Sequence, residues 1–402
     1  MNILKRAVIR VVQGVFYIAK PFLPYREPEK LDSVNEIPDV LVAKGKRAAL
    51  LVTDEYLHKS GLIEPLKMAL GERDIKCTVY DKTRPNPTVD NVEEAKALYI
   101  DCGCDSIIAF GGGSAMDCAK GVGACIARPK KTLNQLKGTL KIRKKIPLLI
   151  AIPTTSGTGS EATPAAVITD AKSKHKYTVN DFVLTPKYAV LDPEITFSLP
   201  KHLTSTTGMD ALTHAVEAYV GRSTTKKTRA YATKAVKLIF ENIETAYKDG
   251  QNYTARENML RASYLAGVAF SNSYVGYVHA VAHTLGGRYN VPHGYANAIL
   301  MPYVLEGYGK SAHKKLFKLA IAAGVADEGD SYEAGAKKFI DSIRELNRMM
   351  NIPYKIEGII EEDIPIMAAY AAKEAHPIYP VPKLMNKKEL EQFYYKAADW
   401  SK

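Results

Sequence analysis

The chain has 402 residues, 46% of them apolar and 24% charged, with a net charge of +12. That is length enough for two domains with sizeable cores, and an ordinary composition for a globular protein in water. The cations are scattered, no nucleic-acid motif accompanies them, and the densest run, KIRKK at 141–145, reads as a solvated loop, so nucleic acid is not an expected partner.

In chain order the first signal is an apolar stripe, Leu4, Val8, Val11, Val15, Ile18 and Phe22, spaced by alternating fours and threes as on one side of a helix. Lys5, Arg6, Arg10 and Lys20 interrupt it. It is too charged to span a membrane and lacks the uncharged core of a signal peptide. Packing of residues 1–24 against the body or a second subunit is the expectation, ahead of contact with a membrane surface. Pro21, Pro24 and Pro28 end the helix, and residues 1–30 form a basic N-terminal extension.

Residues 31–200 alternate strand and helix. RAALLVTD (47–54), IKCTVYD (75–81), DSIIAF (105–110), PLLIAIPTT (147–155) and YAVLDPE (188–194) read as strands. A helix is expected over 62–70, with Pro65 in its first turn, another over 89–103, and a third over 115–127. The 165–170 and 176–180 segments read as a short hairpin. This order predicts an α/β domain with a parallel sheet. Cys77, Cys102, Cys104, Cys118 and Cys125 have no zinc-type spacing and read as reduced thiols, which suits the cytoplasm. Beyond about Pro200 strand signals stop. Helical spacing runs through 203–220, 226–247, 254–287, 295–308, 312–323, 331–350 and 386–399, so residues 201–402 read as an all-α domain.

Two loops in the first domain suit a nucleotide. Gly111-Gly112-Gly113-Ser114 follows a strand and opens a helix. Glycines admit a phosphate close to the backbone, and the helix start offers free N–H groups. Thr154-Thr155-Ser156-Gly157-Thr158 ends another strand. Asp54 closes the first strand, where a carboxylate can accept ribose hydroxyls and repel a 2′-phosphate, favouring NAD(H) over NADP(H). Asp54 could equally cap the next helix.

The helical half holds five candidate metal ligands. Asp210 and His214 stand four apart in GMDALTHAVE, His279 and His283 four apart in VHAVAHTLGG, and His293 follows in NVPHG. Residues four apart share a helix face, and mixed Asp and His donors suit iron or zinc. Spacing does not separate His279 from His283.

Taken together, PNPT (85–88), GGGSAMDCAK, PTTSGTGSE, VLDPE, GMDALTHAVE, VHAVAHTLGG and VPHGYANAILMP resemble, in order and spacing, the iron-containing (group III) alcohol dehydrogenase family from about residue 36 onward. The resemblance implies a dehydroquinate-synthase-like fold, with an N-terminal dinucleotide-binding α/β domain, a helical C-terminal domain and an active site in the cleft between. It implies Asp210, His214, His279 and His293 as metal ligands and His283 as a proton relay. Gly112, Gly113 and Ser114 match its pyrophosphate loop, and Asp54 and Asn86 its adenosine contacts. Thr154, Thr155, Thr158 and Lys176 match positions around the riboses and phosphates. Asp117 and Lys120 share the glycine block without an assigned contact. Phe270 falls at the substrate pocket. His376, in HPIYPVPK where the family often has Asn-Pro-Arg, falls near it.

The implied activity is a metal-dependent alcohol dehydrogenase or aldehyde reductase. It moves hydride between NAD(H) and a small primary alcohol, aldehyde or diol, on Fe(II) or alternatively Zn(II), in a cytoplasmic homodimer. A dehydroquinate-synthase-like lyase and a glycerol dehydrogenase share the fold and stand as alternatives.

Overall fold

The structure, a computed structural model, describes residue 1, residues 3–170 and residues 175–401. It divides into two compact units. One is continuous, Pro24–Ser198, and the other combines Met1–Leu23 with Leu199–Lys402.

The helix α1 (Ile3–Ala19) opens the chain. The continuous unit follows with β1 (Glu29–Leu31), α2 (Ile37–Ala43), β2 (Ala48–Val52), α3 (Glu55–Lys59), α4 (Glu64–Gly71), β3 (Lys76–Tyr80), α5 (Val89–Asp101), β4 (Ser106–Gly111) and α6 (Gly113–Ala127). It ends with β5 (Gly138–Thr139), β6 (Leu148–Pro153), β7 (Ala165–Asp170), β8 (His175–Asn180) and β9 (Tyr188–Val190). Six strands form one sheet in the order β1-β9-β6-β4-β2-β3, paired in parallel throughout. The central strands are apolar on both faces because helices cover both. Leu50 and Ile107 join one core layer, and Leu51 and Ile108 the other, as the period-2 geometry of a buried parallel strand requires. A small second sheet pairs β8 with β5 in parallel and with β7 antiparallel. The unit starts earlier than the sequence suggested, because Glu29–Leu31 already pair with β9.

The helical unit continues with α7 (Lys201–Val220), α8 (Lys226–Lys248), α9 (Tyr253–Ser271), α10 (Tyr277–Tyr289), α11 (His293–Tyr308), α12 (Lys310–Ala322), α13 (Tyr332–Met349), α14 (Ile364–Ala375) and α15 (Lys387–Ala397). Its core is a single apolar cluster built around α7, which is buried almost all round. One expectation fails here. The 254–287 stretch is two helices, broken at 272–276, where Tyr274 takes φ +62° and Gly276 caps α10. The helix α14 also went unpredicted.

The α1 helix packs the reverse of the expected way. Gln13 and Ile9 are buried, while Leu4 is 73%, Val11 65% and Ile18 70% exposed. Arg10 donates to the carbonyls of Val381 (2.8 Å) and Pro382 (3.1 Å), Gln13 Nε2 donates to the carbonyl of Tyr379 (2.7 Å), and Lys20 donates to the carbonyl of Ser223. These carbonyls hold the polar side of the helix, and its apolar stripe is left facing outward. Among the described residues no helix is long and apolar enough to cross a membrane.

Candidate metal centre and nucleotide loops

Three helices of the helical unit present the four predicted ligands. Asp210 and His214 come from α7, His279 from α10, and His293 from the first residue of α11. One ligand atom from each lies within 4.8 Å of all the others. Asp210 Oδ1 is 3.7 Å from His279 Nε2 and 3.5 Å from His293 Nε2. The close approach of α11 to α7 needs Gly294, where a Cβ would lie 2.3 Å from the Thr206 carbonyl oxygen.

The surroundings of these groups suit metal ligation. Glu217, buried one turn beyond His214, accepts the backbone N–H of Gly276 (2.6 Å) and of Val278 (2.7 Å). It also accepts from Nδ1 of His279 (2.7 Å). That contact fixes the His279 tautomer, with Nδ1 protonated and the Nε2 lone pair aimed at Asp210. Burial, reinforced by the neighbouring imidazoles, holds His279 well below its ordinary pKa, so the ring is neutral. Its Nε2 is buried without a hydrogen-bond partner. An orphaned neutral imidazole nitrogen opposite a carboxylate fits a divalent metal and is otherwise an uncompensated loss. Burial pushes the Glu217 carboxyl up to about 7, and its three N–H donors oppose that. Asn297 completes the shell by donating Nδ2 to Asp210 Oδ1 (2.7 Å).

His283 does not join the four. It stacks on His293 with ring centroids 5.2 Å apart, and its Nδ1 pairs with Glu374 Oε1 at 2.7 Å. Tyr379 OH donates to the same oxygen (2.8 Å). Phe270 stacks on His214 at 4.3 Å. His376 is half-buried, and its Nε2 lies 2.7 Å from Tyr277 OH. Tyr277 OH also accepts the N–H of Met385 (2.9 Å), and of the two acceptors open to its proton His376 is nearer than the Met385 carbonyl (3.4 Å). Burial lowers His376 to about 4, so the ring is neutral and accepts.

In the α/β unit the predicted loops meet at the carboxyl ends of β4 and β6. Gly111 takes φ +156° and Gly112 caps α6. A Cβ on Gly113 would stand 2.9 Å from Thr158 Cγ2, and one on Gly112 3.4 Å from Thr155 Oγ1. The Thr154 N–H bonds the Gly111 carbonyl at 3.1 Å. Asn86, at φ +58°, receives Lys176 Nζ on Oδ1 (2.9 Å) and donates its N–H to Ser114 Oγ (3.2 Å). Asp54 does cap α3, accepting the Leu57 N–H on Oδ1 (2.9 Å). This leaves the carboxylate able to accept further hydrogen bonds. Lys120 is buried and donates to Ser160 O, Ser160 Oγ, Thr163 Oγ1 and Ala165 O at 2.7–2.9 Å, tying the threonine loop to α6. Burial pushes Lys120 down to about 8, against the pull of Asp117 and Glu161. A cradle bounded by bare glycines at a helix start fits a pyrophosphate.

Three residues escaped the sequence reading. Glu217 is seven residues after Asp210 on the same face of α7, a signal inside a motif already singled out. Asn297 is one turn after His293. Glu374 had no local signal, because its helix was not expected.

A parallel-sheet unit with phosphate-type loops, and a helical unit with three imidazoles and a carboxylate, define the class as a metal-dependent oxidoreductase that uses a dinucleotide. Residues 29–193 match the family Iron-containing alcohol dehydrogenase, and residues 204–398 match the Fe-containing alcohol dehydrogenase family, C-terminal. Alcohol dehydrogenase 4 of Saccharomyces cerevisiae is 39% identical over 354 residues, 87% of this chain and 91% of the yeast protein. NAD-dependent methanol dehydrogenase of Bacillus methanolicus is 37% identical over 88% of this chain and 93% of its own. A crystal structure of 1,3-propanediol oxidoreductase superposes with a TM-score of 0.89 at 36% identity, covering 93% of this chain and 99% of that one. The chain belongs to the iron-containing alcohol dehydrogenase family, and both the expected fold and the expected reaction class, alcohol and aldehyde oxidoreduction, hold.

Proposed function

We propose that this chain is an NAD(H)-dependent dehydrogenase of small primary alcohols, or reductase of the matching aldehydes, with Asp210, His214, His279 and His293 holding a divalent metal. The observation that carries the reading is the buried, unpartnered Nε2 of a neutral His279 facing Asp210. When bound, the metal supplies Lewis acidity to the alcohol or carbonyl oxygen, and the nicotinamide exchanges the hydride. Three imidazoles and one carboxylate accommodate Fe(II), the family metal, and Zn(II) as well. Gly112, Gly113 and Ser114 hold the pyrophosphate, with Thr154, Thr155, Thr158, Asn86 and Lys176 around it. Asp54 receives ribose hydroxyls and disfavours a 2′-phosphate, in keeping with the NAD-dependent name of the methanol dehydrogenase relative.

Phe270 closes the apolar side of the substrate position by lying flat on His214. His283 is the proton relay. Its Nδ1 contact to Glu374 sets the orientation of the ring. His376 and Tyr277 form a neutral, mutually satisfied pair, suited to an uncharged substrate and ill suited to a polyanion.

The test strips the protein of metal, restores Fe(II) or Zn(II) without oxygen, and follows NADH oxidation with short aldehydes. Turnover should return with metal and be lost in His279→Ala. Turnover that persists without metal, or that survives His279→Ala, would refute the assignment.

A further inference from the structure

The dehydrogenase reading does not use α1, and its packing is inverted. A surface helix ordinarily turns its apolar stripe to the core and its charges to water. Here the polar side is spent on the body, through Arg10, Gln13 and Lys20. Leu4, Val8, Val11, Val15 and Ile18 keep 54–73% exposure, and Phe22 in the following turn is 85% exposed. Ile3 at 86% adds to the same end of the helix. A row of large apolar side chains five turns long and open to water marks a surface that something else covers.

The charge of the segment says what covers it. Residues 1–23 contain Lys5, Arg6, Arg10 and Lys20 and no Asp or Glu. A second copy docked on the stripe would bring two acid-free, cationic helices together, with no carboxylate on either to pair across the seam. An anionic lipid surface meets the same segment with opposite charge and accepts an apolar stripe at the level of its acyl chains. Lys5 and Arg6 are exposed, and their charge lies within a helix diameter of the stripe, close enough to act on an anionic surface. The side of an interfacial helix that faces away from lipid must have its polar groups satisfied, and in this protein the carbonyls of Tyr379, Val381, Pro382 and Ser223 do that. The helix is too short and too charged to cross.

We propose that α1 is a peripheral membrane anchor that lies on an anionic bilayer through Leu4, Val8, Val11, Val15, Ile18 and Phe22, while its opposite side stays fastened to the helical unit. The test sediments the full-length, metal-loaded enzyme with sucrose-loaded phosphatidylcholine vesicles, with or without ~30% phosphatidylglycerol, beside the double variant Val11→Glu/Val15→Glu. The wild type should partition to the anionic vesicles at least about tenfold more strongly than to neutral ones, and the variant should lose that binding. The variant should keep its turnover with a short soluble aldehyde, since neither valine touches the metal centre. A wild type that stays in solution, that binds neutral vesicles equally, or whose binding survives the two glutamates would overturn the proposal. Sedimentation velocity separates the rival occupant. A wild-type oligomer that the double variant dissociates, with no vesicle binding by either, would assign the stripe to a second copy.

Discussion

Replacing Glu217 by Gln removes one charge and almost no volume, so its effect measures what the carboxylate does for the metal centre. Oε2 accepts from Gly276 N and His279 Nδ1, and Oε1 accepts from Val278 N. An amide has only one accepting atom. In its better orientation the Gln oxygen keeps the first two donors and turns an NH2 group on the Val278 N–H, so one charge-assisted hydrogen bond becomes a donor–donor clash. Losing such a bond costs about 1.5–3 kcal/mol, and the metal-free protein should unfold at correspondingly lower denaturant. The weaker acceptor also loosens the His279 tautomer, and a lost partner of this kind lowers metal affinity by about 10–100-fold. The assay is a chelator competition for Zn(II) together with urea unfolding of the metal-free form. A variant with metal affinity within about twofold of wild type and an unchanged unfolding midpoint would refute the claim that Glu217 organises the centre.

Three further outcomes follow from the geometry. Gly113→Ala places a methyl 2.9 Å from Thr158 Cγ2, so KM for NAD should rise severalfold with metal affinity untouched; an unchanged KM, read by initial rates, would remove Gly113 from the cradle. Lys120→Met leaves the acceptors at Ser160, Thr163 and Ala165 without their buried cation, a loss of about 1–3 kcal/mol. Calorimetric melting would show it, and a near-neutral variant would mean the loop holds without that tie. His376 has a folded pKa of about 4 against an ordinary 6.5. Between those values the unfolded chain binds a proton that the folded one refuses, so its contribution is intact above about pH 6.5 and declines as pH falls towards 4. Partial exposure keeps the effect small. The melting temperature of wild type should therefore fall relative to His376→Gln across that window, and parallel profiles would contradict it.

What the sequence made legible was whatever one element decides alone. The runs at 105–110 and 147–155 became buried strands because apolar residues on both faces suit only a covered parallel sheet. Asp210 and His214 converged because one helical turn aligns them. The break at 272–276 was hidden because apolar residues keep helical spacing across it. The break is set by Glu217, 59 residues earlier, which draws the amide of Gly276 out of any continuing helix. The orientation of α1 was hidden in the same way. Its stripe was plain, but which side packs depends on carbonyls of a loop about 370 residues further along the chain. The placement of His279 rather than His283 beside Asp210 was likewise tertiary, since His283 is held by Glu374 on a helix that no local pattern announced.

That long reach of α1 has a consequence for how the protein is made. The α/β unit is one uninterrupted stretch and can complete itself while the ribosome is still working. The helical unit is assembled from both ends of the chain, and 371 residues separate Arg10 from the carbonyl it grips at Val381. The helix α1 therefore docks only after the distant 379–382 segment has been made, and until then both its apolar and its cationic sides stay exposed.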